Sequence, residues 1–188
     1  MLVAGHIGYT VAAFWEAQKR LDRSFDLRLA GLMGLLPDAL DRALYVFAIP
    51  DAHKGRNLSH SIVGNLIVPA ALIAYRRDLW PYALASLGHL ALDGELLSAH
   101  QAFWPALGRD LKHIGIERRD PSEREPYLER VWTRFKEVMR TYEEASLPNL
   151  LFDAAALHLL AFIALRERLY QPARLRNFLL RGRLEAAA

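Results

Sequence analysis

The segment Pro81-Tyr-Ala-Leu-Ala-Ser-Leu-Gly-His-Leu-Ala-Leu-Asp93 is apolar almost all round, yet it carries a histidine and an aspartate near its end. Its composition and length predict an apolar helix over residues 81–97. On such a helix His89 and Asp93 lie four residues apart and share one face. A helix that is apolar all round is buried, so the Asp93 carboxylate requires a compensating partner.

Other apolar segments of the chain present histidine or aspartate in the same way. His6 lies among apolar residues near the start, Asp38 and Asp41 follow Gly-Leu-Leu-Pro, and His53 and His60 flank a short polar stretch. Taken alone, His89 and Asp93 could simply bond each other or cap a neighbouring helix. Taken together, residues from four separate apolar segments are satisfied by one shared metal centre, with the ligand chemistry of zinc, manganese or iron(II). The candidate ligands are His6, Asp38, His53, His60, His89 and Asp93.

The composition narrows the classes of protein and of site. The 188 residues are 53% hydrophobic and 24% charged, which is typical of a globular domain and excludes disordered and low-complexity chains. Cysteine is absent, which excludes disulfide scaffolds, cysteine zinc fingers, iron–sulfur clusters and thiol catalysis. A metal site in this chain must therefore use histidine and carboxylate ligands.

The periodicity predicts an all-α fold, a single-domain multi-helix bundle over residues 1–188 with a metal site between core helices. Residues 1–108 carry the metal-site motifs, and residues 109–188 a charged helix, a core helix and a basic tail helix. No stretch shows the sustained alternation of a strand. Pro37 is expected to stop one short helix and start the next. The predicted helices span 1–21, 27–36, 38–47, 58–77, 81–97, 122–145, 150–169 and 172–184.

The longest uncharged run covers the 19 residues 57–75, but its first half is too polar for lipid. The uncharged runs 79–92 and 154–165 are shorter than a bilayer crossing. We therefore expect a water-soluble cytoplasmic bundle, with peripheral contact at the inner face of the membrane. The arginine-rich residues 172–184 form a basic amphipathic helix, which suits an anionic membrane surface or the surface of the bundle.

The order of the motifs resembles the YdjM-like membrane-bound metal-dependent hydrolases. The matching stretches are Gly5-His6, Leu36-Pro37-Asp38, His53 with Ser59-His60-Ser61, Gly88-His89 followed by Asp93, and Phe103-Trp104-Pro105. His53 matches with two additional residues before Ser59, and Asp41 lies three rather than two residues after Asp38. The family is distantly similar to the all-helical zinc-dependent phospholipase C and single-strand nuclease superfamily. The resemblance covers about residues 4–108 and implies a metal-dependent hydrolase of phosphoesters, including phospholipid-like substrates.

A mechanism follows as a hypothesis. One or two zinc or manganese ions would lower the pKa of bound water to give a nucleophile. Asp38 or Asp41 would orient that water or act as the base, which makes both candidate catalytic residues. Lys54 and Arg56, on the loop between His53 and His60, could hold a substrate phosphate, or they could be ordinary solvated loop charges.

Two alternatives remain open at the level of sequence. The same cluster could be a structural metal site in a non-catalytic membrane-associated or interaction protein, and an open coordination position would distinguish the two. Nucleic-acid binding ranks last, because no helix-turn-helix pattern or array of stacking aromatics accompanies the mildly basic charge. The partners expected are a small anionic or phospholipid-like substrate, the membrane surface and a second copy of the chain.

Overall fold

Helices form the regular structure of the chain. The computed structural model describes residues 3–52, 55–117, 120 and 125–184. The α-helices are α1 (Val3–Arg20), α2 (Leu27–Ala43), α3 (Ile62–Tyr75), α4 (Pro81–Leu92), α5 (Ala99–Ala102), α6 (Tyr127–Glu143), α7 (Leu147–Arg166) and α8 (Pro172–Arg181). A π-helix covers Leu44–Ala48, and 3-10 turns cover Leu58–His60, Arg77–Leu79, Glu95–Leu97 and Leu111–Ile114. No strand occurs in these described ranges, so the predicted all-α class is confirmed.

Two prolines act differently from what the sequence predicts. The expected stop at Pro37 is wrong, because α2 continues through this residue as far as Ala43. A proline inside a helix removes one backbone hydrogen bond, and here the surrounding packing outweighs that loss, since Pro37 is fully buried. The expected helix start at residue 150 is also wrong, because α7 begins at Leu147. Pro148 lies in the first turn of α7, where its missing N–H has no partner to lose.

The backbone divides into two compact units. We call Met1–Leu35 with Ser146–Ala188 the terminal unit, and Leu36–Ala145 the central unit. Whether the chain folds as the single domain expected from sequence stays a prediction.

The terminal unit is built on α1 and α7, which run parallel. Gly8 packs on Ala156, and further along both helices the indole Nε1 of Trp15 donates a hydrogen bond of 2.8 Å to Glu167. A Cβ atom placed on Gly8 would lie 2.7 Å from the Cβ of Ala156, so glycine is what permits this close approach. The buried core of this unit consists of Val11, Trp15, Phe25, Leu27 and Ile163.

The central unit is held together by polar anchors as well as apolar packing. The buried Arg134 of α6 donates hydrogen bonds to the backbone carbonyls of Tyr45, Ile49, Pro50 and Ala52, at distances of 2.5 to 2.7 Å. The Asn65 amide of α3 donates to the carbonyls of Ser59 and Ser86, which ties α3 to the preceding turn and to α4. These anchors fix the loop and helix ends that carry the polar residues described next.

Candidate metal centre

Four buried side chains of the central unit converge. Asp38, His60, His89 and Asp93 each offer one ligand atom, and these four atoms lie within 4.8 Å of one another. The two Nε2 atoms of His60 and His89 are 3.3 Å apart. Asp38 Oδ1 lies 3.4 Å from His60 Nε2 and 3.7 Å from His89 Nε2, and Asp93 Oδ2 lies 3.9 and 3.8 Å from the same two atoms. The group could therefore hold a metal ion.

The spacing matches a single small ion. Nitrogen and oxygen ligands about 2.0–2.2 Å from a tetrahedral zinc ion are separated from each other by roughly 3.3–3.6 Å. The separations of 3.3 to 3.9 Å between the measured atom pairs are close to that range. Among the described residues, one group of this kind is found. The group could therefore hold one ion, and a second ion stays a prediction.

Local backbone features place these four residues. Asp38 lies on α2 directly after Pro37, and His89 and Asp93 lie one turn apart at the end of α4. His60 ends a 3-10 turn whose close approach to α3 requires Gly64, because a Cβ atom there would collide with the Leu58 carbonyl oxygen. Ser61 then caps α3 by accepting a hydrogen bond from the Gly64 amide.

Asp41 lies behind His60, on the side of the ring away from the ligand group. Its Oδ2 is 2.7 Å from His60 Nδ1, and its oxygens also accept hydrogen bonds from the backbone amides of Asn57 and Ser59. The side chain is fully buried. A carboxylate in this position fixes the orientation of the imidazole and raises its basicity as a ligand. This contact differs from the water-orienting or base role expected for Asp41, because both of its oxygens already accept hydrogen bonds.

An arginine contacts each of the two aspartates of the group. Arg42 donates to Asp38 Oδ2 at 3.0 Å, one helical turn along α2, and Tyr142 of α6 contacts the same guanidinium. Arg56 donates to Asp93 Oδ2 at 2.7 Å and to Glu95 Oε1 at 2.9 Å. The expected phosphate contact of Arg56 is therefore replaced, at two of its nitrogens, by these carboxylates.

The buried charges shift the acidity of two residues in opposite directions. Burial alone raises the pKa of Asp38, but the hydrogen bond with His60 and the charge of Arg42 outweigh it and lower this pKa to about 2. Burial alone lowers the pKa of His60, but the hydrogen bonds with Asp38 and Asp41 outweigh it and raise this pKa to about 9. Without a metal, His60 is therefore protonated at neutral pH and donates to both carboxylates.

Three further predicted residues remain, namely His6, His53 and Lys54. His6 is fully buried on α1 in the terminal unit and is not a member of the four-residue group. His53 and Lys54 lie outside the described residues. Sequence reasoning missed Arg42 and Glu95. The spacing of Asp38 and Arg42, one turn apart on a helix, could have revealed the first, whereas the Glu95 contact depends on tertiary structure.

Among the described residues, one helix is long and apolar enough to cross a membrane. It is α7, whose 20 residues from Leu147 to Arg166 have a mean hydropathy of 1.7 over their most apolar window, with 11% of that window buried. The uncharged run 154–165 is shorter than a bilayer crossing because Asp153 and Arg166 bound it, whereas α7 begins at Leu147 and includes Asp153.

Comparison with known protein families also connects the chain with a membrane. The model of a family described as YdjM inner membrane protein matches residues 1–167. No curated protein and no solved structure matches the chain. The link to the phospholipase C superfamily thus stays a prediction, and so does location on the cytoplasmic side. The match extends well beyond the motifs of the first 108 residues and includes α7, so the chain belongs to the YdjM inner membrane protein family.

Proposed function

We propose that the central unit is a metal-dependent hydrolase that cleaves phosphoesters presented at the membrane. The observation that carries this proposal is the convergence of Asp38, His60, His89 and Asp93 in a buried position. Two imidazoles and two carboxylates suit zinc or manganese, and hard oxygen ligands suit a site that handles phosphoryl oxygens.

The charge balance of the site supports a divalent cation. The site contains four buried carboxylates and two guanidinium groups. Arg42 pairs with Asp38, and Arg56 pairs with Asp93 and Glu95, whereas Asp41 contacts His60. With neutral histidines, this set carries two excess negative charges. Uncompensated buried charge costs several kcal/mol, and a divalent ion neutralises two such charges. Protonation of His60 supplies only part of that compensation.

Each residue then has a defined task. A bound ion would activate water as a nucleophile near neutral pH. Asp38 turns Oδ1 toward the histidines and keeps Oδ2 on Arg42, whereas Oδ2 of Asp93 both faces the histidines and accepts a hydrogen bond from Arg56. These contacts restrict both carboxylates to one orientation. Asp41 is a positioning residue for His60. Arg56, with its side chain 44% exposed, could still offer its remaining N–H groups to a substrate phosphate.

The test is metal analysis combined with hydrolysis assays on the full chain, purified in detergent without chelator. We expect about one zinc or manganese ion per chain and metal-dependent turnover of a phosphodiester, phosphomonoester or phospholipid reporter. Asp93→Asn should abolish both. The matched control is Asp78→Asn, which removes an exposed carboxylate paired with Arg76 in the same unit. Folded protein that is metal-free and indifferent to added zinc or manganese would overturn the proposal.

The number of ligands favours one rival function, a structural metal site without catalysis. Four protein ligands already complete a tetrahedral shell, as in structural zinc sites, whereas catalytic sites keep a position for water. X-ray absorption of the loaded protein separates the two. A coordinated water beside the protein ligands supports the hydrolase, and a shell closed by protein in an inert protein supports a structural site.

A further inference from the structure

Within the described part of the terminal unit, all charged side chains except one lie at one end. Residues 3–15 and 147–165 contain one charged residue, Asp153, whereas Lys19 and Arg20 end α1 and Arg166 ends α7. Because α1 and α7 run parallel, these cations lie at the same end of the pair. Lys19 and Arg166 both lie over the ring of Trp15, at 2.9 and 5.7 Å from its centroid.

The basic end continues into α8. Residues 166–184 contain six arginines and one acidic residue, Glu167. Glu167 accepts the Trp15 indole hydrogen bond. Arg176, Arg181 and Arg183 form no ion pair within the described residues. Clusters of this size next to a membrane-spanning helix are typical of segments that bind anionic lipid.

Three leucines of α8 stay exposed although the helix packs on the terminal unit. Phe178 packs on the buried core of this unit, and Arg28 anchors the helix by donating to the Leu179 carbonyl. Leu175 and Leu179 lie beside Phe178 and are 41% and 58% exposed, whereas Leu180, 71% exposed, lies with Arg176 on the side away from Phe178. Exposed leucines next to arginines fit the boundary between lipid headgroups and acyl chains.

The length of α7 determines where the exposed leucines of α8 lie relative to the bilayer. Its 20 residues span about 30 Å, the thickness of the hydrocarbon core. Leu151, Phe152, Leu157, Phe162 and Leu165 are all at least half exposed along it. With α7 in the bilayer, Arg166 lies at the headgroup level and α8 follows directly. Since positively charged segments stay on the cytoplasmic side, this end faces the cytoplasm.

We propose that α8 lies in the headgroup layer of the cytoplasmic leaflet. Leu175, Leu179 and Leu180 enter the acyl boundary, and Arg176, Arg181 and Arg183 bind the phosphates of anionic phospholipids. The leucines supply depth and the arginines supply selectivity for anionic lipid. This surface belongs to the terminal unit and does not depend on the metal centre.

The absence of cysteine allows a direct test on the full chain. A nitroxide attached at Leu180→Cys reports depth in nanodiscs, through its relative accessibility to oxygen and to a water-soluble nickel complex. We expect the label to lie deeper and move less with about 40% phosphatidylglycerol than with phosphatidylcholine alone. About 0.5 M salt should reduce this difference, because it screens the headgroup charges. Equal depth in the two lipids would overturn the proposal.

Charge variants locate the contact. The triple variant Arg176→Gln, Arg181→Gln, Arg183→Gln should lose the lipid-dependent difference. The control variant Arg76→Gln, Arg77→Gln, Arg109→Gln removes the same charge from exposed positions of the central unit and should keep it. In cells, the thiol of the Leu180→Cys variant should react with an impermeant maleimide only after the membrane is opened. Labelling of intact cells, or a triple variant that behaves like wild type, would contradict the proposal.

Discussion

The terminal and central units bury different kinds of side chain. The core cluster of the terminal unit is made of apolar residues such as Val11, Phe25 and Ile163. The central unit instead buries three aspartates and two histidines in a single cluster. Buried charge is costly unless something compensates it. The contrast is that apolar side chains form the core cluster of one unit, whereas the other unit buries a charged cluster that could hold a metal ion.

The largest effect should come from removing a metal ligand. We expect His89→Ala to weaken metal binding by more than about 100-fold, since outer partners of ligands alone are worth 10–100-fold. Thermal unfolding of the metal-free protein should change little, because an empty site gains nothing from that imidazole. The control is His158→Ala, in the terminal unit, where the exposed ring only contacts the Ala154 carbonyl.

The same variant distinguishes a metal site from a polar core pair. If His89 and Asp93 simply satisfied each other, His89→Ala would destabilise the metal-free fold by about 1–3 kcal/mol and leave metal content unchanged. Melting curves with and without metal separate the two cases. A destabilised variant with normal metal binding would remove the functional contrast between the two units.

The next effect concerns Asp41, which contacts His60 but not the ligand group. We expect Asp41→Asn to reduce metal affinity by about 10–100-fold, because the imidazole loses its orienting carboxylate. Competition with a metal indicator measures this change. Asp110→Asn, an exposed turn carboxylate that accepts the Lys112 amide, should have no effect. Equal affinities for Asp41→Asn and wild type would exclude a positioning role.

Two glycine substitutions, one in each unit, compare a tightly packed position with an open one. Gly8→Ala forces a Cβ atom against Ala156, so we expect a loss of roughly 1–3 kcal/mol in unfolding free energy with unchanged metal binding per folded chain. Gly88→Ala meets no atom within 4 Å on α4, so we expect a gain of about 0.5–1 kcal/mol. Thermal melts of the two variants in the same detergent measure both effects.

The fold class and the four residues of the group could be predicted from sequence, for a physical reason. Asp38, His60, His89 and Asp93 all lie in apolar segments, where a polar side chain needs a partner. The same reasoning included His6, which is buried on α1 but is not a member of this group, because burial does not specify which neighbours a side chain meets. The stop at Pro37 failed because local propensity was outweighed by packing. The arginine contacts to Asp38 and Asp93 depend mostly on tertiary structure.

The smallest expected effect is a pH dependence that differs in sign between the metal-free and metal-loaded protein. The pKa of His60 is raised to about 9, so its stabilising contribution is complete below its ordinary value of 6.5 and is lost as pH rises through 9. The pKa of Asp38 is lowered to about 2, so its contribution is complete above 3.8 and is lost only as pH falls through 2. Between pH 6.5 and 9 the histidine alone produces the slope.

A metal ion binds neutral imidazole, so it must displace the proton of His60. We therefore expect the melting temperature of the metal-free protein to fall between pH 7 and 9, while apparent metal affinity rises about tenfold per pH unit. Calorimetry in buffers of different ionisation enthalpy should detect about one proton released per ion at pH 7. The matched variant His60→Gln, which carries no titrating ring, should lose the stability slope of the metal-free protein. Metal affinity that does not change over this range would mean that the metal does not displace the proton of His60. His60 would then not be a ligand, and the group that distinguishes the central unit from the terminal unit would lose one member.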